Sequence, residues 1–246
     1  TPLEIKRLLR VKGFLTGFLV YKFMHKKDIA IEIVKTIRKN GFEAYFVGGC
    51  VRDILRRQTP KDFDIATNAT PEVISKIFPK TVGVGAQFGV MLVVQTGENF
   101  EVATFRADKG YQDGRHPTGV RFTNAKEDAV RRDFTVNGLF YDPLQKKVLD
   151  WVDGRQDIKK KVIRAIGDPA TRFKEDKLRM LRAVRFASVL GFKIDPRTFS
   201  AIKKSSKNIH EVSHERVRDE LIKMFTGPDP GLAFQLLDKS GLMKEV

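Results

Sequence analysis

The first half of the chain contains three short apolar segments with the character of β-strands. Residues 43–47, 89–95 and 100–105 are rich in valine, tyrosine and phenylalanine, the residue types that pack well on a sheet. The sequence Thr-Gly-Glu-Asn at residues 96–99 separates the last two segments and is typical of a hairpin turn. The pattern therefore predicts three strands, two of them joined as a hairpin.

Segments with helical spacing of apolar residues lie between these strands. Asp28 can cap a helix that ends at residues 40–41 and carries apolar residues on one face, namely Ile29, Ile33 and Ile37. Thr70 precedes a proline, which suits the first helical position, and this predicts a second helix to about residue 78. Strands that alternate with helices and end in a hairpin predict an α/β head, in which helices cover a small mixed sheet.

Beyond residue 165 the apolar spacing is helical throughout. Asp168 and the proline after it predict a helix start, and three further helices are predicted at about residues 196–205, 214–225 and 230–239. The fold class is therefore α+β. We predict three parts: an N-terminal arm at residues 1–27, the head at residues 28–165 and a helical neck at residues 166–246.

Two aspartates, Asp62 and Asp64, alternate with the apolar residues Phe63 and Ile65. In a strand this spacing places both carboxylates on one face and both apolar side chains toward a core. Two ionised carboxylates about 5 to 6 Å apart repel by about 3 kcal/mol at an effective dielectric of 20. Protonation of one acid, a neighbouring arginine or lysine, or a divalent cation can relieve this repulsion. Mg²⁺ in such a site commonly takes phosphate as a further ligand.

A glycine pair, Gly48 and Gly49, follows the strand at residues 43–47 and precedes a helix-compatible segment that contains Arg52. Without side chains the chain can turn sharply, and the first N–H groups of the helix can then receive a phosphate. A simple tight turn is the alternative. The glycine pair together with Arg52 and the two aspartates favours a site for metal and phosphate.

The charge balance indicates a polyanionic partner. The 246 residues carry a net charge of +16, with 41% hydrophobic and 31% charged residues, which is typical of a globular protein that binds nucleic acid or an anionic surface. A lysine-rich surface without a binding role is the alternative. The single cysteine, Cys50, allows no disulfide within these residues and indicates a reducing cytoplasm. The apolar run within residues 12–24 is too short to span a membrane, and we expect no membrane partner.

Four segments of the chain, in order, resemble the motifs of the class II nucleotidyltransferases, the family of CCA-adding tRNA nucleotidyltransferases and bacterial poly(A) polymerases. They are GGCVRD with DFDIAT within residues 48–67, RRDFTVN at 131–137, EDKLRMLRAVRFA at 175–187 and SHERVRDELIKMF at 213–225. The resemblance covers roughly residues 30–240. It implies a polymerase-beta-like nucleotidyltransferase head followed by an all-helical neck.

The resemblance also implies roles for the residues at matching positions. Asp62 and Asp64 would be the catalytic carboxylates and would hold two Mg²⁺ ions. Glu101 is a further candidate ligand, because polymerase-type folds often place a third acid beside such a pair. The residues expected to bind the nucleotide are Gly48, Gly49, Arg52, Arg132, Asp133, Asn137, Asp176, Arg179, Arg182 and Arg185.

Two of these assignments leave an alternative open. Asp133 and Asn137 are four residues apart, so on a helix they share one face and would contact the ribose and phosphates of the nucleotide. An internal salt bridge from Asp133 to Arg131 or Arg132 is the alternative. Asp176 and the three arginines that follow it at steps of three residues form one helical stripe, which is also compatible with a solvated face.

Asp176 and Arg179 match the EDxxR motif of the family and would read the base. A carboxylate accepts from an exocyclic amine, and a guanidinium donates to a ring nitrogen or carbonyl, so the pair suits cytosine and adenine. Uracil and guanine present a carbonyl to the carboxylate, which costs about 1 to 3 kcal/mol for each group left unsatisfied. One Asp and one Arg can therefore select the base without a nucleic-acid template.

Residues 106–122 contain three glycines and a proline and predict a long loop. In the family, a flexible loop at this position helps the active site to accept the last nucleotide, and relatives that add only C and C lack or alter it. A passive surface loop is the alternative.

The expected activity is template-independent transfer of CMP and AMP from CTP and ATP to the 3′ end of tRNA, dependent on Mg²⁺ and releasing pyrophosphate. An enzyme that adds only A, or a poly(A) polymerase, is an alternative, although residues 81–90 lack the paired basic residues associated with poly(A) polymerases. Alternatives of other classes are a non-catalytic RNA-binding module and nucleotidyl transfer to a small molecule or protein.

Overall fold

The computed structural model of the chain describes residues 25–111 and 117–246. The predicted N-terminal arm, apart from its last three residues, lies outside the described residues. Within the two described ranges, no helix combines the length and the apolar character needed to cross a membrane.

The first described helix, α1 (Lys26–Lys39), confirms the predicted amphipathic helix. Its apolar face is buried, and Ile33 and Ile37 have no exposed surface. The predicted cap residue was wrong, because His25 and not Asp28 precedes the helix. Asp28 lies inside the first turn, where its negative charge interacts favourably with the positive end of the helix dipole.

A seven-stranded mixed sheet forms the centre of the head, as predicted for a mixed sheet covered by helices. In chain order its first five strands are β1 (Ala44–Val47), β2 (Asp64–Thr67), β3 (Thr81–Gly85), β4 (Val90–Gln95) and β5 (Glu98–Thr104). A separate hairpin, β6 (Arg106–Tyr111) and β7 (Pro117–Phe122), precedes the last two strands, β8 (Phe140–Asp142) and β9 (Lys147–Leu149). The order across the sheet is β3-β4-β5-β2-β1-β8-β9, and β2 and β5 run parallel.

Helices pack on both faces of this sheet. The helices of the head after α1 are α2 (Gly49–Leu55), α3 (Pro71–Ile77), α4 (Ala125–Val130) and α5 (Gly154–Lys160). On one face α1 and α3 pack against Phe46, Ile65 and Phe100. On the other face α4 packs against Phe105 and Phe140. The central strands are therefore buried from both sides, which holds the strand ends that carry the site in place.

Two strand features differ from the prediction. The edge strand β3 was not predicted, because its sequence TVGVG contains two glycines, which weaken strand propensity. The turn between β4 and β5 is shorter than predicted: only Thr96 and Gly97 lie between the strands, with φ of 53° and 82°. Positive φ at both central residues is the geometry of a tight two-residue hairpin turn.

The prediction of a loop at residues 106–122 is wrong for most of this segment. Arg106 pairs with Phe122, and Tyr111 pairs with Pro117, so the two sides of the segment form an antiparallel ladder. Backbone pairing across the segment overrides its glycine-rich composition. Residues 112–116 lie outside the described part of the chain.

The neck is helical as predicted. Its helices are α6 (Pro169–Glu175), α7 (Leu178–Leu190), α8 (Pro196–Ser205), α9 (His214–Phe225) and α10 (Pro230–Ser240). Two short strands, β10 (Val162–Ile163) and β11 (Lys193–Ile194), pair in parallel across the predicted boundary at residue 165. The neck core also contains Phe134 and Val136 from the head. The head and the neck therefore share buried apolar surface.

Candidate active site

A cleft of about 430 Å³ between the head and the neck brings most of the predicted site residues together. The predicted residues that line it are Gly48, Gly49, Arg52, Asp64, Arg132, Asp133, Asn137, Asp176, Arg179, Arg182 and Arg185. Arg131 and Phe186 also line this cleft and were not predicted, although both lie inside the quoted motifs. Asp62 and Glu101 are not among the lining residues. Residues from four distant segments thus form one site.

The glycine pair gives two arginines close access to the backbone. Gly48 has φ of 71°, a value that side-chain-bearing residues rarely adopt. A Cβ atom at this position would stand 3.3 Å from Arg132 Nη1, and one on Gly49 would stand 3.5 Å from Arg52 Nη2. The turn between β1 and α2 therefore lies directly beside two guanidinium groups.

A chain of hydrogen bonds connects the head with the neck across the cleft. Arg52 Nη1 donates to Asn137 Oδ1 at 2.9 Å, and Asn137 Nδ2 donates to Asp133 Oδ1 at 3.1 Å. Arg182 Nε, on the neck helix α7, donates to Asp133 Oδ2 at 2.8 Å. These contacts fix the two parts of the site relative to each other.

The predicted helical face shared by Asp133 and Asn137 is wrong. Helix α4 ends at Val130, and Asn137 belongs to a short 3₁₀ turn, Thr135–Asn137. The two side chains nevertheless meet, because the chain folds back between them. Asp133 does not pair with Arg131 or Arg132 either, because its partner is Arg182.

Asp133 is held in its ionised form. Burial alone would raise its pKa, but Arg182 and the hydrogen bonds from Asn137 and the Phe134 N–H lower the pKa below the ordinary value. The side chain is therefore a fixed acceptor for Arg182.

Asp128, a buried residue with no predicted role, positions both arginines of the RRD motif. Arg131 Nη2 lies 2.7 Å from Asp128 Oδ1, and Arg132 Nη2 lies 2.9 Å from Asp128 Oδ2. Burial by itself would raise the pKa of Asp128. The positive charge of the two guanidinium groups outweighs this effect, so the pKa is lowered. One carboxylate faces two guanidinium groups, which leaves a surplus of positive charge at the cleft.

The residues expected to read the base are each held by a neighbouring charge. Asp176 precedes α7 and so is not part of the helical stripe, contrary to the prediction. Arg216, on α9, donates to Asp176 Oδ2 at 3.0 Å, and Arg179 Nη1 donates to Glu175 Oε2 at 2.6 Å. These contacts orient both side chains at the cleft.

The stripe of arginines on α7 is not a solvated face. Arg182 bonds Asp133, and Arg185 Nε donates to Glu220 Oε2 at 2.5 Å. The Arg185 guanidinium also lies 4.0 Å from the centre of the Phe186 ring, and those of Arg182 and Arg52 lie 5.2 and 5.6 Å from it. A mostly buried aromatic ring thus supports three guanidinium groups by cation–π contact.

The two predicted catalytic aspartates differ in their surroundings. Strand β2 begins at Asp64, so Asp62 lies just before the strand, while Phe63 and Ile65 are buried as predicted. The Asp62 side chain is 75% exposed, and Lys26 Nζ lies 2.6 Å from its Oδ1 atom. The repulsion between the two carboxylates is therefore relieved at Asp62 by a neighbouring lysine, one of the three predicted ways.

Asp64 has a strongly perturbed carboxyl group. Its pKa is raised to about 6, first by burial and then by Glu101 and Asp62, with partial compensation from Arg132. Ile65 pairs with Val102 in parallel register, which places Glu101 on the strand next to Asp64. The negative charges near Asp64 are incompletely balanced by the protein itself.

The carboxylates of Asp62 and Asp64 fit a metal ion that takes most of its ligands from water and substrate. Among residues 25–111 and 117–246, no group of three His, Cys, Asp or Glu side chains is close enough to hold a metal ion. Glu101 is therefore not part of a preformed three-ligand cage. Mg²⁺ is usually bound by one or two carboxylates together with water and substrate phosphates, and Asp62 and Asp64 can supply that minimum.

Comparison with known proteins adds independent information. Residues 44–164 match the family model for the poly A polymerase head domain, and residues 191–246 match that for the probable RNA and SrmB-binding site of polymerase A. The chain is 44% identical over 218 residues to the CCA-adding enzyme of Lactobacillus helveticus, and equally to that of Bacillus licheniformis. The alignments cover 88% of this chain and 54% and 55% of those enzymes. The chain thus spans about half the length of these curated relatives.

The fold is also similar to a solved structure, that of the Bacillus stearothermophilus CCA-adding enzyme in complex with CTP. The TM-score is 0.82 at 40% sequence identity, and the match covers 89% of this chain and 53% of that chain. The head is therefore a polymerase-beta-like nucleotidyltransferase head. The chain belongs to the class II nucleotidyltransferases, the family of CCA-adding tRNA nucleotidyltransferases and bacterial poly(A) polymerases.

Proposed function

We propose that this chain carries the nucleotidyltransferase activity of an enzyme that adds CMP and AMP to the 3′ end of tRNA, from CTP and ATP and without a nucleic-acid template. The observation that carries the proposal is the single cleft lined by Asp64, the guanidinium groups and the pair Asp176 and Arg179. The two curated relatives named above are CCA-adding enzymes, and the solved structure named above is a complex with CTP.

The arginines of the cleft would bind the triphosphate. Arg52 and Arg132 stand beside the backbone of Gly48 and Gly49, two residues that add no side chain of their own to the cleft. Guanidinium groups suit phosphate because they can donate two parallel hydrogen bonds. Asn137 and Asp133 position Arg52 and Arg182, and we propose that both also contact the nucleotide.

Asp62 and Asp64 would hold two Mg²⁺ ions together with the substrate phosphates, and Glu101 beside Asp64 is a further proposed ligand. When bound, such ions lower the pKa of the RNA 3′ hydroxyl and stabilise charge on the α-phosphate during in-line displacement of pyrophosphate. Both aspartates must be ionised to serve as ligands. Lys26 must then leave Asp62, or share it with the ion.

Asp176 and Arg179 would select the base. Arg216 holds Asp176, and Glu175 holds Arg179, so neither side chain needs to be ordered by the substrate. A fixed acceptor beside a fixed donor suits the edges of cytosine and adenine. This arrangement rejects uracil and guanine, because an unsatisfied polar group costs about 1 to 3 kcal/mol.

We further propose that the enzyme acts in the cytoplasm. We also propose that the predicted boundaries, with the head at residues 28–165 and the neck at residues 166–246, separate the part that carries the catalytic carboxylates from the part that reads the base.

The test is incorporation with defined acceptors. The chain is offered tRNAs that end at the discriminator base, at C and at CC, each with one labelled nucleoside triphosphate and Mg²⁺. We expect C on the first two acceptors, A on the third, and no product with Asp62→Ala or Asp64→Ala. Addition of A alone to CC ends indicates an A-adding enzyme, and long A tails indicate a poly(A) polymerase. Incorporation of U or G as readily as C or A would contradict the proposed base selection.

A further inference from the structure

Lys26, the first residue of α1, makes an ion pair with one of the two proposed metal ligands. Its Nζ atom lies 2.6 Å from Asp62 Oδ1, close enough for a charge-assisted hydrogen bond. The lysine side chain is 31% exposed, so it is partly covered by the protein while the carboxylate faces solvent. An ammonium group therefore occupies one of the positions from which a metal ion could reach Asp62.

The packing of α1 holds the lysine at this position. Ile29 and Ile33, on the same helix, belong to one buried cluster with Phe63 and Ile65, the apolar residues that alternate with the two aspartates. The start of the helix and the segment that carries the acids thus share a core. The amine is therefore attached to the scaffold beside Asp62 and does not have to be collected from solvent.

A second carboxylate lies within reach of the same amine. Glu98 Oε2 is 3.8 Å from Lys26 Nζ. Strand β5 begins at Glu98 and runs parallel to β2, with Ile65 opposite Val102, so the segment before β2 lies beside the start of β5. Because lysine has a flexible four-carbon stem, a small rotation of the side chain exchanges one carboxylate partner for the other.

We infer that Lys26 is a tethered counter-ion of the metal site, which pairs with Asp62 while the metal is absent and moves to Glu98 when the metal binds. The inference rests on the metal site of the proposed function. A divalent cation and an ammonium group at one carboxylate repel each other, so the two compete for Asp62. Lys26 acts through Asp62 and sets the metal concentration at which the site fills.

The experiment measures Mn²⁺ binding to the 246-residue chain without nucleotide or RNA. Mn²⁺ takes the same oxygen ligands as Mg²⁺, and electron paramagnetic resonance reports the concentration of the free ion. Lys26→Gln and Lys27→Gln remove equal charge from adjacent positions, and Lys27 is exposed and points about 100° away around the helix. Glu98→Gln, alone and combined with Lys26→Gln, tests the second partner. Thermal unfolding confirms that each variant is folded.

We expect Lys26→Gln to lower the dissociation constant of Mn²⁺ about threefold, a modest factor because exposed ion pairs are weak. Lys27→Gln should change the constant by less than about 1.5-fold, since charges in solvent are screened. An unchanged affinity in Lys26→Gln would overturn the inference. Equal gains in the two lysine variants would do the same, because they would reduce the effect to net charge.

Glu98→Gln should raise the dissociation constant about twofold in the chain that retains Lys26, because the displaced amine then has no second carboxylate. The same substitution should have a smaller effect in the Lys26→Gln background. Equal effects in the two backgrounds would exclude the exchange of partners.

The outcome is separable from that of the proposed function. If Lys26→Gln tightens Mn²⁺ binding but the unsubstituted chain incorporates neither C nor A, the counter-ion role stands and the proposed function fails. If the chain transfers nucleotides but its Mn²⁺ affinity does not depend on Lys26, the proposed function stands and the inference is overturned.

Discussion

At the scale of single residues, Asp64 is a carboxyl group whose environment disfavours the charge that its proposed role requires. Burial and the neighbouring Glu101 raise its pKa to about 6, above the value in an unfolded chain. Protonation of Asp64 therefore stabilises the folded state. This contribution is complete below about pH 4 and is lost as the pH rises through about 6.

Asp64→Asn should accordingly stabilise the metal-free protein at pH 7 by about 2 to 3 kcal/mol, because the amide places no charge in this buried position and none beside Glu101. The difference from the unsubstituted chain should shrink at pH 4, where Asp64 is protonated. Urea denaturation at both pH values measures it, with the exposed Asp238→Asn as control. The same substitution should abolish nucleotide transfer. A variant that is less stable than the unsubstituted chain at pH 7 would show that neighbouring positive groups fully balance the charge of Asp64.

Arg216 illustrates a residue that acts through another. It lies outside the cleft lining but bonds Asp176 at 3.0 Å. Arg216→Gln should reduce the preference for CTP over UTP, compared as kcat/KM, by about tenfold, since an Asp176 that can turn away no longer penalises a carbonyl. Arg218→Gln is the matched control, because the Arg218 side chain is 66% exposed and pairs with its neighbour Asp219. Preserved discrimination in Arg216→Gln would assign Asp176 a role other than base selection.

At the scale of elements, the turn from β1 into α2 and the helix α7 each combine scaffold and site. Leu178, Leu181 and Val184 bury one face of α7 in the neck core. The arginines of the same helix line the cleft. Because one rigid helix carries both faces, packing in the neck determines where the guanidinium groups stand.

Gly48→Ala tests the turn. Its φ of 71° and ψ of −131° are unfavourable for any residue with a Cβ atom, and the new methyl group would crowd Arg132. We expect a loss of about 1 to 3 kcal/mol in the free energy of unfolding and weaker CTP binding. Gly231→Ala, where the nearest atom is 3.6 Å away and φ is ordinary, should change neither measurement appreciably. Normal CTP affinity in Gly48→Ala would exclude the turn from the phosphate site.

At the scale of the whole molecule, the head and the neck are joined by apolar packing and by several hydrogen bonds, among them those from Arg182 to Asp133 and from Arg164 to Asp195. Phe134, Val136, Ile163 and Ala165 precede the predicted boundary but belong to the core of the neck. The boundary at residue 165 therefore divides the chain without separating two independent cores.

A fragment of residues 28–165 should consequently fail to fold cooperatively, because removal of the neck exposes those four buried side chains. Circular dichroism during urea unfolding should show a broad transition for the fragment and a single cooperative transition for the 246-residue chain. A sharp transition of the isolated head would contradict this prediction and would establish the head as an autonomous domain.

Much of the fold followed from local pattern. The glycine turn, the acid pair and the helix starts at Thr70 and Asp168 depend on residues that are adjacent or nearly so, which is why the sequence indicated them. The edge strand β3 and the hairpin at residues 106–122 were missed for the opposite reason. Their backbone partners, and not their own residues, make them strands.

The sequence by itself determined the family and nearly the whole set of residues that line the cleft, because the motifs carry side-chain chemistry at set spacings. Tertiary structure alone decided which charges are balanced. Asp133 is paired with Arg182, which is 49 residues distant along the chain, and Asp62 is paired with Lys26, which is 36 residues distant. Asp64 instead lies near the negative charge of Glu101. Electrostatic energy depends on distance in space and on burial, and neither quantity can be read from separation along the chain.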